Sequence, residues 1–138
     1  MSIAFTVYGV AQPAGSKTAG VTKCARRFVR DANPASREWK RQVAQVAGAS
    51  VAGELLEGAL ELSIVFYRVR PAGHYGKRGL LPSAPAYPTT KPDTTKLLRA
   101  VEDALTGIVW RDDAQVVEQT ISKVYGEPAR CEVTVRPL

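Results

Sequence analysis

The sequence predicts an α+β (mixed α/β) fold in a single domain spanning residues 1–138. Alternating apolar residues predict a mixed sheet of four or five strands, and two stretches with apolar residues at helical spacing predict two helices. In chain order these elements run β-β-α-β-α-β-β, a pattern that places both helices on one face of the sheet. The other face is then free for a partner subunit or a ligand.

The predicted strands share period-two alternation and a β-rich composition. They span residues 3–10, part of 21–31, 59–69, 116–125 and 129–136. The strand at 59–69 is the strongest, because every second residue from Leu60 to Phe66 is large and apolar. Only three turn residues separate the last two strands, which predicts that they pair as a β-hairpin.

The two helices are predicted from apolar residues that recur on one face. The first spans residues 34–51, with Asn33 as its candidate N-cap and Trp39 on its apolar face. The second spans residues 93–107 and ends at a glycine. Two Gly- and Pro-rich segments, 11–20 and 70–91, are predicted to be loops without regular structure. The length of the second loop favours a functional role.

The net charge of +6 is unevenly distributed along the chain. Residues 1–92 hold 13 Lys and Arg against 5 Asp and Glu, whereas residues 93–138 hold 6 against 8. A basic surface around an acidic pocket is what a metal-dependent nuclease needs, because cations hold phosphates and carboxylates hold the metal. The sequence contains no membrane-length apolar stretch and no evident signal peptide, so no membrane partner is expected. The expected location is the cytoplasm.

Two acidic sites flank the second predicted helix. Asp93 stands at its start, where a carboxylate also serves as an N-cap. Asp112 and Asp113 stand just before the next strand, where paired aspartates are common turn residues. Taken together, the two sites predict a position for one hard divalent cation, Mg²⁺ with Mn²⁺ as an alternative. Mg²⁺ binds one or two carboxylates together with water and substrate phosphate.

Three short motifs follow one another in this region: Asp93-Thr94-Thr95-Lys96-Leu97-Leu98-Arg99-Ala100, then Asp103-Ala104-Leu105, then Trp110-Arg111-Asp112-Asp113-Ala114-Gln115-Val116. In order and spacing they resemble the RusA-like Holliday-junction resolvases, the crossover junction endodeoxyribonucleases. The resemblance implies a homodimeric, Mg²⁺-dependent nuclease. Such an enzyme resolves branched DNA by paired phosphodiester hydrolysis in recombination, repair or phage DNA processing.

The same resemblance implies a set of catalytic residues, and this chain departs from it at two positions. Asp93 and Asp113 match catalytic aspartates of the family. Thr95 stands where the family has a second aspartate, and Arg99 stands where it has a lysine. Arg99 can clamp a phosphate but cannot readily give up a proton. Glu102, on the same helix face as Thr95, is a candidate for the missing carboxylate; its alternative role is an ion pair with Arg99.

The basic residues predicted to hold the DNA backbone are Lys17, Lys23, Arg26, Arg27, Arg70, Lys77, Arg78, Lys91 and Lys96. Contacts of this kind make binding strongly dependent on salt. Because a four-way junction is nearly two-fold symmetric, paired nicks are simplest with a C2 homodimer. The alternative function is a junction- or nucleic-acid-binding protein whose catalysis is impaired or absent.

Overall fold

The computed structural model describes residues 2–14, 17–21, 27–31 and 33–138, with the backbone alone described at 17–21 and 27–31. The two helices are α1 (Pro34–Ser50) and α2 (Thr94–Leu105). The strands are β1 (Ile3–Tyr8), β2 (Lys17–Val21), β3 (Arg27–Asp31), β4 (Leu60–Arg68), β5 (Tyr75–Gly76), β6 (Gly79–Leu80), β7 (Val116–Tyr125) and β8 (Arg130–Pro137).

The main sheet has four strands in the order β1-β8-β4-β7. β4 and β7 are parallel, while β8 pairs antiparallel with both β1 and β4. Parallel neighbours need a crossover connection, and α2 provides it between β4 and β7. Two small antiparallel sheets, β2–β3 and β5–β6, lie outside this sheet. β7 is therefore an edge strand of this sheet. The helix α2 leads back to its start.

One continuous core joins the helices to the sheet. Alternate residues of β4 from Leu60 to Phe66 are almost fully buried, as are Val43 of α1 and Val101 of α2. Because the buried residues of β1, β4 and β8 each belong to one alternating set, both helices cover the same face of the sheet. The predicted α+β class, with a mixed sheet and two helices on one face, is confirmed.

The start of α1 also agrees with the sequence. The Asn33 side chain accepts a hydrogen bond from the Ala35 N–H at 3.0 Å, and Pro34 occupies the first helical position. Trp39 and Ala47 are buried on the predicted apolar face. This N-cap satisfies a backbone donor that has no partner within the helix.

The predicted hairpin between the last two strands is wrong. β7 and β8 run in opposite directions, but β4 lies between them and forms hydrogen bonds with both. Alternation shows which face a residue occupies but not which strand lies beside it, so a short connection suggested the wrong neighbour.

The predictions for the two loops are partly wrong. Residues 17–21 form β2, which pairs with β3, where a loop was expected through residue 20. The 70–91 segment contains a 3-10 turn at Ala72–His74 and the β5–β6 pair. Arg70 Nη1 donates to the Pro85 carbonyl at 2.7 Å, so a long-range contact orders a segment rich in turn residues.

Candidate active site

Two side-chain contacts fix the direction of α2 relative to β7. Gln119 Nε2, on β7, donates to Oε2 of Glu102, which lies in the last part of α2, at 2.9 Å. Just before α2 begins, Lys123 Nζ donates to the carbonyl oxygens of Thr90 and Pro92, at 2.8 and 2.9 Å. The helix therefore runs antiparallel to β7. Asp93 lies at the start of this helix, and Glu102 lies near its end on the side that contacts β7.

Asp93 occupies the N-cap position of α2, but its carboxylate makes no capping hydrogen bond. Its Oδ1 lies 3.8 Å from Lys96 Nζ, and both side chains are more than half exposed. An exposed pair at this distance contributes little to stability. The carboxylate is therefore open to a ligand, and a capping role does not account for this residue.

Asp112 and Gln115 hold together the link that leads into β7. Asp112 Oδ1 accepts a hydrogen bond from the Ala114 N–H at 2.9 Å, and Gln115 Oε1 accepts one from the Asp112 N–H at 3.2 Å. This is a reciprocal capping box. Gln115 Nε2 also donates to the carbonyl oxygens of Leu56 and Gly58, at 3.0 and 3.1 Å. Sequence reasoning gave Gln115 no role beyond its place in the third motif, although the spacing Asp-x-x-Gln is a capping pattern.

Asp113 lies close enough to Glu102, near the end of α2, for its negative charge to act on the Glu102 carboxyl, and we call these two carboxylates the acidic pair. The pKa of the Glu102 carboxyl is raised, chiefly by burial and next by the charge of Asp113. The Gln119 hydrogen bond lowers this pKa, and the charge of Asp103 raises it further. A partly desolvated carboxylate beside a second one favours binding of a proton or a cation. The alternative role of Glu102 is not observed, because the described residues show no ion pair between Glu102 and Arg99.

We expect the substitution Glu102→Gln to stabilise the protein at neutral pH. The folded-state pKa of Glu102 is raised, so the folded chain holds this proton more tightly than the unfolded chain does. Stability then falls as the pH rises from the unfolded-state pKa through the folded-state pKa, and a glutamine avoids that loss. Urea unfolding at pH 7 should show a higher midpoint for the variant, and the difference should vanish below about pH 4.

The matched control is Asp103→Asn, which removes a neighbouring carboxylate that pairs with Lys40 Nζ at 3.2 Å. This variant should be no more stable than the wild type. If the Glu102→Gln protein is no more stable than the wild type at pH 7, the burial of Glu102 and its repulsion by Asp113 are contradicted.

The predicted acidic residues fall into two sets within one chain. Asp93 lies at the start of α2, and Glu102 lies nine residues later, about 13 Å along the helix axis. Across residues 2–14, 17–21, 27–31 and 33–138, no three His, Cys, Asp or Glu side chains form a group able to hold a metal ion. A helix is rigid on this scale, so side-chain rotation alone cannot bring the carboxylates of Asp93 and Glu102 to one ion.

Thr95 and Arg99 lie between these sets, and both are exposed. Their spacing of seven and three residues from Glu102 places them on the same side of α2 as that carboxylate. The helix therefore presents a hydroxyl, a guanidinium and a carboxylate on one side. The exposed guanidinium of Arg99 is accessible to an anionic ligand.

The predicted DNA-binding residues are distributed over several elements. Lys77 and Arg78 connect β5 to β6 at an exposed tip, and Lys91 is exposed just before α2. Lys17 begins β2 and Arg27 begins β3, where the backbone alone is described. Lys23 and Arg26 lie outside the described residues.

Sequence reasoning also missed Lys123. It lies on β7 two residues after Ile121, on the face that β4 fills with apolar side chains. In the sequence, Lys123 is a basic residue that shares the face of a predicted strand with Ile121, and this pattern could have identified it. Its two hydrogen bonds to carbonyl oxygens fix the segment that carries Asp93.

Comparison with known proteins identifies the family from most of the chain. The family described as "Endodeoxyribonuclease RusA" matches residues 11–136. This chain belongs to the RusA endodeoxyribonuclease family. The match includes both acidic sets and every predicted DNA-binding residue. RusA-family membership indicates a Holliday-junction resolvase, a nuclease that binds branched DNA, and does not favour the non-catalytic alternative.

A curated relative agrees with the extent of this match. The chain is 34% identical, over an alignment of 143 positions, to "Uncharacterized protein YqaN" of Bacillus subtilis (strain 168). The alignment covers 97% of this chain and 95% of the relative, so the two proteins correspond over nearly their full lengths. In the described part of this RusA-family chain, no helix has the length and apolar character needed to cross a bilayer.

Proposed function

We propose that this protein is a Mg²⁺-dependent endodeoxyribonuclease that resolves four-way DNA junctions by paired phosphodiester hydrolysis as a homodimer. The observation that carries the proposal is the partly buried carboxylate of Glu102 beside Asp113, in a chain of the RusA family. Its substrates are intermediates of DNA recombination, repair or phage DNA processing. These arise in the cytoplasm of a bacterium or phage-infected cell.

Asp113 and Glu102 would hold the ion, with Mn²⁺ as an alternative to Mg²⁺. The raised pKa of Glu102 supports this assignment, because a cation between the two carboxylates relieves their repulsion. Asp112 uses Oδ1 for its cap, which leaves its second oxygen for the ion or for water around it. When bound, the ion supplies Lewis-acid polarisation of the phosphoryl group and neutralises charge on the leaving oxygen.

The chain's own basic residues would bind and orient the phosphate. Arg99 lies between the two acidic sets, and a guanidinium can hold two phosphate oxygens in a bidentate manner. It replaces the family's lysine as a phosphate clamp and does not act as a proton donor. Lys96 and Lys91, near the start of α2, would bind the neighbouring phosphates. This division leaves the acidic pair to hold the metal.

A homodimer accounts for the separation of the acidic sets. Asp93 and Glu102 lie about 13 Å apart along α2, beyond the reach of one ion. A two-fold axis that places two α2 helices antiparallel would bring the start of one helix to the end of the other. Each of the two equivalent sites would then combine Asp93 of one protomer with Glu102 and Asp113 of its partner. Two such sites match the symmetry of a junction that receives paired nicks.

The test is cleavage of a synthetic four-way junction, compared with a linear duplex of the same sequence, in Mg²⁺, in Mn²⁺ and in EDTA. We expect two symmetric nicks in the junction, little cutting of the duplex and no cutting in EDTA. Sedimentation of the same preparation should show a dimer. Tight junction binding without cleavage in either metal would instead support the binding-protein alternative.

A further inference from the structure

A cavity of about 260 Å³ opens at the far end of β7, beyond the start of α2. Its lining combines one arginine, two tyrosines and one glutamate: Arg70, Tyr75, Tyr125 and Glu127. We call this space the β7-end cavity. Pockets for drug-sized ligands begin at roughly 300 Å³, so this one suits a single small ring system.

One wall of the β7-end cavity is built by contacts among Arg70, His74 and Tyr125. The Arg70 guanidinium lies 4.2 Å from the centre of the Tyr125 ring, and the His74 ring meets that ring edge-on at 5.5 Å. Arg70 Nη1 also lies 3.3 Å from His74 Nδ1 and donates to the Pro85 carbonyl oxygen at 2.7 Å. These contacts position the wall before any ligand binds.

Tyr75 gives the cavity an exposed aromatic surface. Its side chain is 47% exposed, and it belongs to β5, which leads directly to the basic tip Lys77-Arg78. Exposed aromatic rings beside basic residues suit single-stranded nucleic acid, because each base stacks on a ring while cations follow the phosphates. The Glu127 carboxylate can accept a hydrogen bond from an exocyclic amine of a base.

The cavity also lies at a suitable distance from the candidate active site. Tyr125 is two residues beyond Lys123 on the same face of β7, about 7 Å along the strand. Lys123 holds the Pro92 carbonyl oxygen next to Asp93. A separation of about 7 Å corresponds to roughly two base-pair steps of DNA. A strand whose phosphate lies at the start of α2 can therefore place a nearby base at the cavity.

We propose that the β7-end cavity receives one unstacked nucleobase of the branched DNA, next to the strand held along α2. The proposal rests on the proposed function. The base stacks on Tyr75, and the wall formed by Arg70 and Tyr125 limits the cavity to one ring system. A fully stacked duplex offers no such base without unstacking, so the cavity favours DNA at a branch point.

The test places 2-aminopurine at successive positions around the branch point of a four-way junction and measures its emission without a divalent ion. Unstacking raises the emission of this base. Wild-type protein should raise it several-fold at one position beside the branch point and leave it unchanged well inside the arms. Tyr75→Ala should abolish the rise and weaken junction binding about tenfold. Tyr8→Ala, which removes a 60% exposed tyrosine on β1, is the matched control and should behave as wild type.

Equal emission changes with wild type and Tyr75→Ala would overturn the proposal, as would a flat signal at every position. A dimer that dissociates in Tyr75→Ala would overturn it as well, because the cavity would then be an interface between copies. Junction cleavage by the wild type is measured in parallel. Retained cleavage with a flat signal rejects the base pocket alone, whereas absent cleavage rejects the proposed function.

Discussion

Replacing Asp113 with asparagine should lower junction cleavage by roughly a hundredfold or more, the effect of losing several kcal/mol of metal-dependent stabilisation. Asp113 is exposed, and its charge acts on the Glu102 carboxyl, so the substitution removes half of the acidic pair without opening a cavity. Junction binding in EDTA should stay close to that of the wild type. The measurements are single-turnover cleavage and equilibrium binding on the same four-way junction.

The matched control for this prediction is Asp112→Asn, one residue earlier. Asparagine is as good an N-cap as aspartate, so this variant retains the hydrogen bond to the Ala114 N–H while losing one negative charge. We expect a clearly smaller loss of cleavage than with Asp113→Asn. Equal losses in both variants would mean that net charge, and not a specific ligand at Asp113, supports the reaction.

Replacing Trp110 with alanine should have the largest effect on stability, a loss of about 3–5 kcal/mol in the free energy of unfolding. The Trp110 side chain is fully buried, and its Nε1 donates to Thr106 Oγ1 at 3.0 Å. Its backbone carbonyl accepts a hydrogen bond from the Gly107 N–H at 2.7 Å. Since small domains are stable by about 5–15 kcal/mol, this loss is a large fraction of the total. Urea unfolding followed by circular dichroism measures it.

Trp110→Phe is the control, since it retains most of the apolar volume and loses the N–H donor. It should cost about 1–2 kcal/mol. Because Trp110 lies just before the capping box at Asp112, the alanine variant should also lose cleavage at temperatures where it remains folded. A cost under about 1 kcal/mol for the alanine variant would show that this link does not depend on the buried ring.

Much of the candidate site was predictable because the motifs around α2 are local. Asp93 and Asp113 could be singled out because they flank a predicted helix, and Glu102 because it shares a helix face with Thr95, where the resemblance implies a missing carboxylate. Two features could not be found in the same way. Lys123 reaches backbone carbonyls 31 and 33 residues away in sequence, and Gln115 reaches carbonyls almost 60 residues away. Contacts over such separations depend on which elements the fold brings together.

By itself the sequence determined the α+β class, the bounds of both helices to within a few residues and the inward face of β4. Each of these follows from local periodicity and from caps such as Asn33. The tertiary structure alone decided that β4 separates β7 from β8, because alternation does not encode which strands are neighbours. It also decided that Asp113 lies close enough to Glu102 for its charge to act on that carboxyl. That proximity depends on the packing of α2 against β7, where Gln119 contacts Glu102.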